Sequence, residues 1–327
     1  MARTKGESLV PGIRGRVLVS LGVVAAATAA ATAAATIGYA GGSDGVRAAQ
    51  DDPRPHSRPQ ALTWQQELRV ADARQRLTSR CMNRHGFTYW EDRTLTLRES
   101  RPVRYVQDDL AWARTHGYGG RIDAKSDRVR ERNPNGTYRQ GLSAAHRTAF
   151  DIALDGGDSA RLLTAPLPGG GEIQKRLGGC TEEAERELYG DPAEWFRTSK
   201  IATGLNSLYS ADLMKDRQLT AAVRAWARCM KSAGQPYKDP QAARDAVRVN
   251  TARLGAARAD EAFAAERKTA VADAACARDT SLRAVAKARE TYYQDRLGDR
   301  FGDALDTYRH LGRRAYDRAV HVVPERT

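Results

Sequence analysis

The sequence predicts an all-α fold: two disulfide-closed helical modules, related by a weak internal repeat and ending in a long C-terminal helix. Three observations predict it. Apolar residues recur at three- and four-residue steps through most of the chain, which is the spacing of one helical face. The four cysteines, Cys81, Cys180, Cys229 and Cys276, are even in number and contain no Cys-x-x-Cys spacing. After Pro240 no proline interrupts the chain until Pro324, so a long helix is free to form there.

A chain of 327 residues holds one large or two ordinary domains and buries a sizeable core. A hydrophobic content of 41% excludes a multi-span membrane protein, and 12 Pro with 28 Gly exclude a collagen-like chain.

Residues 1–40 read as a signal peptide or an N-terminal membrane anchor. Arg3, Lys5, Arg14 and Arg16 form a basic leader, an apolar run from Val17 to Val24 follows, and Gly38-Tyr39-Ala40 is a small-x-small end. No charged residue occurs between Val17 and Ser43, a run long enough to cross a bilayer. Thr28, Thr32 and Thr36 share one helical face suited to packing on another transmembrane helix. Either reading leaves the basic flank inside and puts the remainder outside the cytoplasm, secreted or tethered. No cysteine lies in or just after the segment, which argues against a lipid-modified start. Residues 41–60, with Pro53, Pro55 and Pro59, read as a flexible linker.

The net charge of +13 suggests nucleic acid at first sight, but export removes that partner. Without residues 1–40 the chain keeps 49 basic and 39 acidic side chains, a net +10. Outside the membrane such a surface meets anionic wall polymers and lipid headgroups. Arginines alternate with acids (Arg278-Asp279, Arg289-Glu290, Asp295-Arg296), as on solvated helical faces.

The first module, residues 61–210, opens with an amphipathic helix from Leu62 to His85, ended by Gly86. A second helix is expected within Val103–Tyr118, around Val106, Leu110 and Trp112. Asn133-Pro134-Asn135-Gly136 reads as a turn. Ser143 caps a helix running to Leu154, a Pro-Leu-Pro-Gly-Gly-Gly loop spans 166–171, and helix returns from Cys180 to Tyr189. Pro192 begins another at a first turn. The second module, residues 211–327, has a helix from Leu219 to Ala233, ended by Gly234. A long or twice-bent helix follows over 260–323, carrying Leu282, Val285, Tyr293, Leu297, Phe301, Leu305, Leu311, Ala315 and Ala319. Gly298, Gly302 and Gly312 are its weak points. Strand signals are limited to 94–97 and 103–106, which are able to pair briefly.

Cys81-Met82-x3-Gly86-x2-Tyr89 aligns with Cys229-Met230-x3-Gly234-x2-Tyr237 at an offset of 148 residues. A weaker element follows each, Cys180-Thr181-Glu182-Glu183 and Cys276-Ala277-Arg278-Asp279. Four cysteines allow three pairings; two related modules are most simply closed by Cys81–Cys180 and Cys229–Cys276.

These residues carry a resemblance. The Cys-Met-x3-Gly signature after an exported N-terminus is similar to exported helical proteins and lipoproteins of actinomycetes. Asn135-x-x-Tyr138-x3-Leu142, Ala153-Leu154-x-Gly156 and Gly178-Gly179-Cys180 extend it over roughly residues 64–280. The resemblance implies an exported helical fold and supplies no catalytic residue. The chain departs from the lipoproteins in lacking a lipidation cysteine.

Candidates for chemistry are few. His85 stands four residues after Cys81, but no second ligand pair is near in sequence and a disulfide consumes the thiol, so neither metal nor cofactor is expected. Glu182 and Glu183 are the acid/base candidates for cleaving a wall polymer, with Asp108 and Asp109 as a second acidic pair. Tyr89 and Trp90, just past the Gly86 cap, are candidate ligand or partner contacts. Trp226, three residues before Cys229, is expected to pack around a disulfide. There is no phosphate loop, no Gly-x-Ser-x-Gly, no His-Glu-x-x-His and no EF-hand loop. Asn135-Gly136-Thr137 is formally a glycosylation sequon.

The expected function is that of a non-enzymatic, exported cell-envelope protein acting as a structural or interaction module. Its long C-terminal helix would meet another envelope protein or a second copy. The alternatives are a wall-polymer hydrolase and an extracytoplasmic small-molecule binding protein.

Overall fold

Thr63 begins the fold. Its hydroxyl accepts from the Gln66 amide N–H while the Gln66 side chain accepts from the Thr63 N–H, a capping box that starts helix α1 (Trp64–Arg84). The computed structural model describes residues 60–102 and 105–326. The expected signal or anchor, residues 1–40, and nearly all of the linker lie outside the described residues. No described helix is long and apolar enough to cross a membrane.

The chain is helical almost throughout. After α1 come α2 (Leu110–His116), α3 (Gly120–Glu131), α4 (Pro134–Gly141) and α5 (Ala144–Asp155). A hairpin of β1 (Arg161–Pro166) and β2 (Glu172–Leu177) follows, antiparallel with Arg161 opposite Leu177. Then come α6 (Gly179–Tyr189), α7 (Pro192–Gly204), α8 (Asn206–Lys215), α9 (Arg217–Ser232) and α10 (Pro240–Leu254). The chain closes with α11 (Ala259–Asp279), α12 (Leu282–Asp295) and α13 (Gly298–Val322).

Local chemistry explains most boundaries. Ser143, Asp191, Asp216 and Asp239 each accept backbone N–H bonds at a helix start, and Pro192 and Pro240 occupy the first turns behind two of them. The Cys-Met-x3-Gly pattern has a physical meaning at both sites. Gly86 (φ +81°) and Gly234 (φ +72°) take the left-handed conformation that ends a helix. The Phe87 and Gln235 N–H groups then reach back to the Met82 and Met230 carbonyls, at 3.0 and 2.8 Å. Both methionines are buried, and each cysteine stands one residue before its methionine. The likeness stops there: Cys180 lies in the first turn of α6, whereas Cys276 lies near the end of α11.

Several expectations are corrected. Asn133-Pro134-Asn135-Gly136 opens α4, because the Asn133 side chain caps it and Pro134 needs no N–H at the first position. Residues 120–131, just before it, form α3. The helix expected within 103–118 begins only at Leu110, where Asp109 caps it. Residues 94–97 form bends and turns and no strand. The hairpin lies instead at 161–177; its exposure alternates along both strands, but exposed Leu162 and inward Lys175 hide the apolar alternation in the sequence.

The long or twice-bent helix expected over 260–323 is interrupted twice, at Thr280-Ser281 and at Arg296-Leu297, next to the expected weak point Gly298. Ser281 holds a left-handed φ of +54° at the first break. Two main core clusters result. Around Trp226, α8, α9, α11 and α12 contribute Tyr209, Leu213, Leu219, Met230, Cys276 and Leu282. Around Leu188, α1, α6 and α13 contribute Val70, Ala73, Leu77, Leu311, Ala315 and Ala319. The small residues Gly312, Ala315 and Ala319 let α13 approach closely, and Trp195 of α7 stacks between Tyr189 and Tyr308 at 3.8 and 5.2 Å. The last helix therefore packs into the core of the N-terminal helices, with one face committed there.

Candidate functional site

The two disulfides are Cys81–Cys180 and Cys229–Cys276, with Cα–Cα distances of 5.5 and 5.6 Å. Their surroundings differ. Cys229–Cys276 belongs to the apolar cluster of Trp226 and Met230, as the spacing of Trp226 led us to expect. Cys81–Cys180 is covered on one side by Met82 and Phe150, yet its other side meets charged surface groups. Glu183 Oε2 lies 3.4 Å from Cys81 Sγ, and the same carboxylate is paired with Arg84.

The acid/base candidates stand apart in role. Glu182 is paired with Arg186 one turn along α6, and Glu183 with Arg84 across to α1. The buried carboxylate of α6 is Glu185, held by Lys175 and, at 3.8 Å, by Arg74. Asp108 is paired with Arg283, and Asp109 caps α2 and binds Arg101 at 2.6 Å. The Trp112 backbone N–H, then Arg101, hold the Asp109 carboxyl below the ordinary range. Each of these carboxylates thus serves an ion pair or a helix start.

Tyr89 and Trp90 run along α4. The Asn135 side chain accepts from the Trp90 N–H at 2.8 Å and donates to its carbonyl at 2.9 Å, so the sequon residue is a structural clamp. The Trp90 ring meets Tyr138 edge-on at 5.5 Å and remains 41% exposed. Tyr89 is half-buried beside the first disulfide, its carbonyl accepting from Ser79 Oγ at 2.8 Å. Burial raises its hydroxyl pKa.

A concave surface with aromatic and charged lining lies elsewhere. An open groove of about 500 Å³ is lined by Trp64, Thr96, Leu97, Arg98, Arg101, Asp109 and Trp112. Trp64, half-buried, is the first residue of α1, and Trp112 of α2 is buried beneath the groove, 4% exposed. The Arg101 guanidinium lies 5.5 Å from the Trp112 ring centre, within cation–π range, and Asp109 fixes it. His116 packs behind Trp112 at 4.4 Å. Burial lowers its pKa and Arg98 lowers it further, opposed by Glu99. Its Nε2 is covered and has no hydrogen-bond partner among the described residues.

No family model, curated protein or solved structure matches the chain. The groove therefore has to be read from its own chemistry.

Sequence reasoning missed it for a plain reason. Trp64, Arg98, Arg101 and Trp112 are spread over 49 residues and sit on a helix start, a turn and a second helix, so no spacing marks them as a set. The nearest signal was the pair of arginines flanking Glu99 and Ser100, in a segment without helical or strand periodicity.

Proposed function

We propose that this chain is a non-enzymatic, exported cell-envelope protein whose groove binds an anionic sugar unit of a wall polymer. One observation carries the reading: half-buried Trp64 and exposed Arg98 border one open groove, whose floor is the buried Trp112 and the Arg101–Asp109 pair. Indole faces suit the apolar face of a sugar ring, and guanidinium groups pair with carboxylate or phosphate in a planar fork. The two disulfides fit an oxidising compartment outside the cytoplasm. The basic leader and apolar run of residues 1–40 supply an export signal or anchor, and the remaining +10 favours an anionic partner. The arginine pairing of Glu182 and Glu183 favours binding over hydrolysis.

Co-sedimentation of the purified chain with isolated wall polymer tests this. Retention that falls with added salt, and falls again in Arg98→Glu and Trp64→Ala, supports the reading. Equal retention on neutral and anionic polymer, or polymer turnover by the chain, counts against it.

A protein partner, or a second copy, is a second reading with its own observation. Tyr292 on α12 is 45% exposed, with the Arg289 and Arg296 guanidinium groups 4.1 and 5.8 Å from its ring centre. That face, rather than the core-facing side of α13, is where the C-terminal segment offers a contact. Pull-downs with Tyr292→Glu test it better than deletion of residues 281–327, which removes core side chains. An unchanged partner set for Tyr292→Glu counts against this second reading.

A further inference from the structure

We propose that the Cys81–Cys180 pair, once reduced, becomes a zinc-type metal site completed by His85 and Glu183. The ligand atoms of Cys81, His85 and Cys180 lie within 4.8 Å of one another. Glu183 Oε2 stands outside that group of three, 3.4 Å from Cys81 Sγ, and is the fourth donor of the proposed site. Two helix ends bring these groups together. Cys81 and His85 are four residues apart at the end of α1, and Cys180 and Glu183 are three apart in the first turn of α6, so each pair shares one helical face.

Two sulfurs, one imidazole and one carboxylate form a donor set that suits tetrahedral Zn²⁺. Metal–ligand bonds of about 2.0–2.3 Å place neighbouring donors roughly 3.3–3.8 Å apart in a tetrahedron. The Glu183 contact already has that spacing. Reduction frees the two sulfurs to move apart to that spacing. Arg84 binds the other oxygen of Glu183 and thereby orients the donor, the task outer partners perform around metals. His85 and Glu183 are exposed and give the ion a way in. The second disulfide has no such surroundings, lying among apolar side chains.

The chemistry balances with a dithiol as reductant. Its two sulfhydryls supply two electrons and two protons, the Cys81–Cys180 bond breaks to two thiols, and the dithiol becomes a disulfide. Zinc then binds both sulfurs and releases the two thiol protons.

The test uses the full chain, reduced anaerobically with a phosphine and titrated with Co²⁺ as a spectroscopic probe. One Co²⁺ per chain, with thiolate charge-transfer and tetrahedral d–d absorption and displacement by Zn²⁺, is expected for the reduced chain and none for the oxidised chain. His85→Ala and Glu183→Gln should weaken binding tenfold or more, Cys81→Ser/Cys180→Ser should abolish it, and Cys229→Ser/Cys276→Ser should leave it intact. Should reduction unfold the chain, helical circular dichroism recovered by zinc in the native sequence but not in His85→Ala supports the same site. Equal cobalt binding by His85→Ala and the native sequence, or bands that survive loss of Cys81 and Cys180, overturns it.

Discussion

Arg326, next to the C-terminal residue, forms a two-pronged ion pair with Asp72 in the middle of α1: Nε to Oδ2 at 2.7 Å and Nη2 to Oδ1 at 2.6 Å. The same guanidinium donates to the Leu95 and Asp92 carbonyls, at 2.7 and 3.0 Å. The two side chains are only 10% and 2% exposed. The chain end is thus stapled to the first helix, beside the core face of α13. Arg326→Ala leaves the Asp72 charge buried with only Arg93, at 3.2 Å, to compensate it. A loss of about 3–5 kcal/mol is expected in urea unfolding. Adding Asp72→Asn should return part of it, because the buried charge is then gone.

Asp273 should make stability depend on pH. It accepts from the Tyr118 hydroxyl and from Trp226 Nε1, both at 2.9 Å, between α2 and α9. Burial pushes its carboxyl up to about 6, opposed by those two donors and by Arg244. The unfolded carboxyl titrates near about 3.9. Below that value both states hold the proton and the group's contribution is fully present. As pH rises through about 6 the folded carboxyl must ionise in a dry site, and the contribution is lost, up to about 3 kcal/mol. Urea unfolding of the native chain and Asp273→Asn from pH 4 to 7 checks this. The native chain should lose stability relative to the variant across that window; a constant difference would contradict it.

Removal of the disulfides should cost stability in the order of their loops. Cys81–Cys180 closes 99 residues and Cys229–Cys276 closes 47. Chain entropy gives about 5 and about 4 kcal/mol for the respective serine pairs. Denaturation of each double variant measures both, and peptide mapping without reductant should recover only these two links.

Glu266 holds the start of α3 from a distant helix. Its carboxylate accepts from the Tyr118 and Gly120 N–H groups, at 2.8 and 3.0 Å. Glu266→Ala leaves both donors unpaired and should cost about 1–3 kcal/mol. Amide exchange should speed up over residues 118–131, with little change in α1.

Much of the fold was legible where a single residue type dictates a local shape. Ser143 and Pro192 marked helix starts, Gly86 and Gly234 marked ends, and the cysteine pairing followed from taking each module as a closed unit. The hairpin was not legible, because an apolar residue, Leu162, faces out and a charged one, Lys175, faces in. The break at Ser281 was invisible too, since its left-handed backbone occurs in a non-glycine residue amid regular apolar steps. Partnership at long range left no local trace: the stripe of Leu311, Ala315 and Ala319 shows a buried face but not that α1 and α6 cover it. The groove is the same case. Trp64 and Trp112 meet only after α1, the turn at 96–101 and α2 are placed.

The most direct measurement is tryptophan fluorescence during titration with a soluble anionic fragment of wall polymer, with an uncharged fragment of equal length as control. The account predicts saturable change with the anionic fragment only, weakened tenfold or more by Arg98→Glu and by added salt, and unaltered by Glu183→Gln. The same curve for both fragments, or one unaffected by Arg98→Glu, would contradict it.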